Sequence, residues 1–103
     1  MIAHLVTFTF APETTPAQVE KAWSEIQALQ GVVPSLRGLT GGLDLGYDAA
    51  NAQLAILAFF DDHEGWVSYQ QHPAHQACAK EHIRPFLVSR GATQFVWPHA
   101  LPA

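Results

Sequence analysis

The stretch from Gln53 to Phe60, Gln-Leu-Ala-Ile-Leu-Ala-Phe-Phe, is apolar at nearly every position. A strand of this kind runs through the middle of a sheet and is covered on both faces. Helices of the same short chain can cover one face, and a second subunit most simply covers the other. Ile2 to Phe10 is another strand, with a plain period of two: Ile2, His4, Val6, Phe8 and Phe10 share one side, and Ala3, Leu5, Thr7 and Thr9 the other. His4 therefore stands on the core-facing side, either satisfied by a backbone partner or belonging to a site.

Between these strands lies one clear helix. Thr15-Pro16-Ala17-Gln18 has a capping threonine, a proline at the first helical position and a glutamine three residues after the cap. Val19, Ala22, Trp23, Ile26 and Leu29 then form one apolar stripe, and Gly31 ends the helix. Leu36 to Gly46, with Gly38, Gly41, Gly42 and Gly46, reads as a strand interrupted by a bulge or a close backbone contact. Asp61-Asp62-His63-Glu64 opens a second helix, with His63 toward solvent. That helix breaks near Pro73 and resumes from Ala74 to about Ser89, with an irregularity at Pro85; Ala92 to Trp97 is the last strand. The order strand-helix-strand-strand-helix-strand predicts an α+β, ferredoxin-like βαββαβ fold with residues 1–97 as one domain and 98–103 as a C-terminal tail.

Composition narrows the partners. Hydrophobic residues are 49% and charged residues 14%, an apolar excess that suits a surface buried against another copy. A net charge of -4 with five unclustered Lys and Arg argues against nucleic acid. No apolar run approaches the roughly 20 residues of a membrane helix, so no membrane partner is expected. The opening Met-Ile-Ala-His-Leu-Val reads as strand rather than as a signal peptide. A single cysteine, Cys78, excludes an internal disulfide, fits a cytoplasmic location and reads as a packing residue between alanines.

The groups able to move protons concentrate in Tyr69-Gln70-Gln71-His72-Pro73-Ala74-His75. Proline has no amide hydrogen and crowds the preceding turn, so His72 is pushed out of helical geometry while Pro73 can start a new helix. Tyr69 near the end of one piece and His75 in the first turn of the next can then face one cleft. Imidazole titrates near neutrality and suits a general base; a phenol can donate a hydrogen bond to a developing oxyanion. His72, beside the proline, reads as a structural hydrogen-bonder. Spacing also raises a metal held by His72 and His75, but no third ligand follows, and no metal or cofactor is expected. Glu81 and Arg84 read as a surface pair.

With His4, Phe59-Phe60-Asp61, Tyr69-Gln70-Gln71-His72-Pro73-Ala74-His75 and Ile83-Arg84-Pro85 in view, the chain resembles the stress-responsive A/B barrel (Dabb) family over nearly its whole length. The resemblance implies a four-stranded antiparallel sheet with helices on one face, paired through the other face into a homodimeric α+β barrel. Olivetolic acid cyclase-like members close a polyketide ring by intramolecular aldol condensation without a cofactor. Matched to their motif, Tyr69 and His75 are the catalytic pair and His4 the supporting first-strand histidine. His72 matches their histidine before proline. Leu54 stands at about the place of a further pocket histidine, and His4, His72 and Leu54 are thus the implied substrate-binding positions. The function expected is a small-molecule-binding domain, with a cofactor-independent cyclase or lyase reading first. A non-catalytic stress-associated ligand-binding or structural dimer is the alternative, and a cofactor-free monooxygenase a third.

Overall fold

The computed structural model describes residues 1–102; Ala103, the last residue of the expected tail, lies outside the described residues. Four strands, β1 (Ile2–Phe10), β2 (Gly38–Leu43), β3 (Leu54–Phe60) and β4 (Leu87–Val96), form one antiparallel sheet in the order β2-β3-β1-β4. Helices α1 (Pro16–Gln27), α2 (His63–Gln71) and α3 (Pro73–Cys78) join them, and α3 runs on into a π-helical turn, Ala79–Ile83. This is the ferredoxin-like α+β fold. No helix among the described residues is long and apolar enough to cross a membrane.

Strand β1 sits between β3 and β4, and its two faces lead to different fates. Val6, Phe8 and Phe10 face the helices and are buried with Leu54, Ile56 and Phe60 of β3. Helix α1 lays Ala22 and Ile26 on this layer, with Val19 and Trp23 packed at its margin. Its start is the reciprocal cap expected: Gln18 N–H donates to Thr15 Oγ1 at 3.2 Å, and Thr15 N–H donates to Gln18 Oε1 at 2.9 Å.

On the opposite face Leu5 and Phe95 remain 37% and 41% exposed, whereas Ala3 and Phe59 beside them are fully covered. The difference comes from the segment after β4. Trp97 packs edge-on against Phe59 at 5.1 Å and donates its indole N–H to the Ala100 carbonyl at 3.1 Å. Leu101 then lies over Gly38, where an added Cβ would sit 3.2 Å from its Cδ2.

Four boundaries differ from those expected, the first being that of α1, which stops at Gln27, with Leu29 in the turn beyond it and Gly31, at φ +82°, after that. Strand β4 begins at Leu87 rather than Ala92, and the helical run stops at Ile83 rather than near Ser89. Pro85 cannot extend the helix, while pairing of Leu87 to Arg90 with Phe10 to Phe8 recruits this weakly patterned stretch, with a register shift at Thr9/Phe10. Strand β2 is confined to Gly38–Leu43, and the irregularity expected there is a close backbone approach. Gly41 has φ +153°, and a Cβ at that position would collide with the Ala55 carbonyl of β3. The α2 cap is Asp62, whose Oδ1 accepts from Gly65 N–H at 2.9 Å, while Asp61 faces Arg37.

Candidate active site

The joint between α2 and α3 is one residue wide. His72 is extended, with φ -66° and ψ 132°, and serves both helices. Its N–H donates to the Tyr69 carbonyl at 3.2 Å, and its Nδ1 accepts from Ala74 N–H at 3.1 Å. Pro73 follows as the first residue of α3, where its missing N–H leaves nothing unpaired. The resulting change of direction brings the Tyr69 and His75 rings to 4.2 Å between centroids, inclined at 46°.

Both rings border a cavity of about 400 Å³ between the sheet and the helices. His4 joins them from β1, with its Nδ1 3.1 Å from Gln94 Nε2 on β4. Val6, Phe8, Ile26, Leu29 and Ile56 supply apolar wall, and Trp66 closes one side. The structure thus brings together Tyr69, His75 and His4. Two implied substrate-binding positions fall elsewhere. His72 is not among the lining residues, because its Nδ1 is committed to the α3 cap. Leu54 is also outside the cavity; it is 1% exposed and lies opposite Phe8 and Leu43, at the end of the sheet filled by core packing.

Burial sets the protonation of these groups. It lowers His4 to about 4, helped by Arg90 and then His75. His75 is also lowered, by burial first; the Gln70 backbone opposes this, and Arg84, Arg90 and His72 add to it. Burial raises Tyr69, with a smaller rise from Cys78 and an opposing effect of Arg90. Cys78 is pushed up to about 11 by burial, then by Glu25 and Glu81. At neutral pH the cavity therefore presents neutral imidazoles, a phenol and a thiol. His75 Nδ1 is shut off from solvent, with the Gln70 backbone acting on the same ring, and Trp66 Nε1 is buried without a hydrogen-bond partner. Among the described residues no three His, Cys, Asp or Glu side chains gather as around a metal ion.

Sequence reasoning missed Arg84, Arg90 and Gln70, which also border the cavity. Arg84 is not the expected partner of Glu81, which lies 3.7 Å from His82 instead. The π turn, closed by Arg84 N–H donating to the Ala79 carbonyl at 2.8 Å, stacks Arg84 over Ala79 and so turns it to the cavity. Arg90 lies opposite Phe8 and so on the helix face of β4. Extending the alternation of Gln94 and Ala92 back by two residues would have found it.

A single antiparallel sheet with helices on one face, holding a ligand-sized cavity between the two layers, defines a ferredoxin-like α+β protein. The chain belongs to the Stress responsive A/B Barrel Domain family, Dabb, whose profile matches residues 2–96. A solved structure of a dimeric ferredoxin-like protein of unknown function from Thermobifida fusca YX is 35% identical, with a TM-score of 0.83 over 93% of this chain and 90% of that one. A hydroxynitrile lyase from Passiflora edulis shares the fold at 19% identity and TM-score 0.80, covering 98% and 96% of the two chains. SnoaB, a cofactor-independent oxygenase from Streptomyces nogalater, does so at 17% identity and TM-score 0.74, covering 99% and 97%. A search of curated protein sequences gives no match.

Proposed function

We propose that the protein is a cofactor-independent cyclase or lyase that acts on a small carbonyl compound by aldol-type proton transfer. The observation that carries this reading is the pairing, at 4.2 Å, of a neutral imidazole and a protonated phenol on the wall of a largely apolar cavity. His75 is the base. Since Nδ1 is sealed, proton exchange falls to Nε2, which takes a proton from carbon beside a carbonyl. The enolate's electron pair then forms a bond to a second carbonyl carbon of the same molecule. Tyr69, raised well away from ionisation, keeps its proton and donates a hydrogen bond to the oxygen on which charge develops. The new alkoxide takes back the proton held by His75, which restores the base without any oxidant or reductant. His4, fixed by Gln94, supports the substrate from the sheet side.

The same reading includes a homodimer formed through the outer sheet face. Leu5 and Phe95 are exposed there, and the Thermobifida fusca, Bacteroides fragilis and Jannaschia relatives are described as dimeric. Analytical ultracentrifugation expects twice the mass of the 11.3 kDa chain; a monomer at micromolar concentration would remove this part.

The chemical test is turnover of a panel of β-keto and aromatic carbonyl compounds by wild type and His75→Ala. Loss of a general base lowers the rate by about 10²–10⁴-fold, with the circular dichroism spectrum unchanged. Equal turnover by a well-folded His75→Ala removes the base assignment. Saturable binding without turnover across the panel leaves a ligand-binding protein instead.

A further inference from the structure

The cavity carries a charge that the mechanism above does not use. Arg84 and Arg90 both border it, and its lining contains no aspartate or glutamate. These are two of only five Lys and Arg residues in a chain of net charge -4. Neither has a carboxylate partner: the ion pairs among the described residues are Lys21 with Glu25, Arg37 with Asp61 and His82 with Glu81. Both side chains are on exposed residues, and each also borders a surface depression beside the cavity. Arg84 does so with Pro73 and Gln76, and Arg90 with Trp66 and Gln94. The two guanidinium groups thus stand at the rim, with apolar wall below them.

We propose that the ligand of this cavity is a carboxylic acid with an apolar body, its carboxylate held at the rim by Arg84 and Arg90 and its body lying along Phe8, Ile26 and Leu29. This names the substrate class of the site read above and rests on that reading of the cavity as a ligand site. A guanidinium offers parallel N–H donors that match the two oxygens of a carboxylate. Two unpaired cations at an apolar opening draw an anion in head-first orientation and leave an uncharged ester without its main polar contact. A carboxylate fits better than a phosphate, because no glycine-rich loop borders the cavity to wrap a phosphate in backbone N–H groups. With the head so held, the carbonyl part of the ligand lies deeper, toward Tyr69 and His75.

The test is calorimetric titration of the whole protein with 4-phenylbutanoate and with its methyl ester, in wild type, Arg84→Gln, Arg90→Gln and the double variant. The acid is expected to bind about tenfold or more tightly than the ester in wild type. Each single variant should narrow that ratio, and the double variant should abolish it while leaving ester affinity within about twofold. Because both arginines are exposed, the variants should keep the wild-type Tm, and rising salt should weaken the acid alone. Equal affinity for acid and ester in wild type, or an acid preference that survives the double variant, overturns the carboxylate assignment while leaving the cavity reading intact. Binding of neither compound overturns both. Displacement of the acid by about 10 mM inorganic phosphate would assign the rim to phosphate and likewise overturn the proposal.

Discussion

Helix α1 and the α2–α3 pair cover the same sheet face but are built on opposite rules. Helix α1 is uninterrupted from Pro16 to Gln27, reciprocally capped and amphipathic, and it brings no proton-moving group to the cavity, only the side chain of Ile26, with Leu29 added by the turn just beyond it. The second pair is broken at His72 and distorted again by the π turn, and nearly every polar group of the cavity comes from it or from the strands facing it. Regular helix presents a fixed stripe to the core; each interruption resets the direction in which the next side chain points. Regularity here serves packing, and its interruptions aim the polar groups of the cavity.

Four measurements bear on this division, the largest effect first. His4 and His75 are kept neutral by burial, so their folded pKa values lie below that of the unfolded chain. The unfolded state then binds more protons between the two values, and the stability they allow is full above pH 6.5 and declines as pH falls. For His4 the decline runs from the ordinary histidine value of 6.5 toward about 4, at up to about 1.4 kcal/mol per pH unit. Urea unfolding between pH 7.5 and 4.5 should show this slope, and His4→Gln should flatten it; an unchanged slope would remove the buried-histidine account.

Ala22 is 1% exposed within α1 and is not among the residues bordering the candidate-site cavity. Ala22→Leu should overpack the helix–sheet contact and cost about 1–3 kcal/mol, read as a drop in Tm, with kcat per folded molecule unaltered. A changed kcat would show that α1 is more than scaffold. His72→Ala removes the cap of α3 and should cost about 1 kcal/mol, yet lower kcat by about tenfold or more through misdirection of Tyr69 and His75. Equal kcat would break the link between the joint and the chemistry. The smallest effect is expected from Thr15→Ala, the matching cap of α1: about 0.5–1 kcal/mol in denaturant unfolding and no kinetic change.

What could be read from the sequence follows the same line. Strands β1 and β3 and helix α1 announce themselves because each has one period, a definite face and, for α1, a cap written in four residues. The start of strand β4 is not legible, because an edge strand with Val88, Ser89, Arg90 and Gly91 exposed carries no apolar alternation, and Arg90 is hidden with it. Two imidazoles three residues apart could be seen beside Pro73, but spacing alone did not say that the first would be spent on a backbone N–H and that the second would meet the phenol. The π turn leaves no compositional mark, so Arg84 read as a surface residue. Leu54 was placed near the site by likeness to other sequences; its neighbours across the sheet, Phe8 and Leu43, hold it in solid core.

The one-residue joint also sets a rule about length. Each residue of helix advances direction by about 100°, so inserting or deleting a single amino acid between Tyr69 and His75 would swing the imidazole more than a quarter turn around α3 and away from the phenol, whatever the residue's chemistry. Substitutions in this segment can be graded in their effects; a change in its count is all or nothing. Descendants of such a chain can exchange Gln71, which neither caps the joint nor borders the cavity, long before they can alter how many residues separate phenol from imidazole.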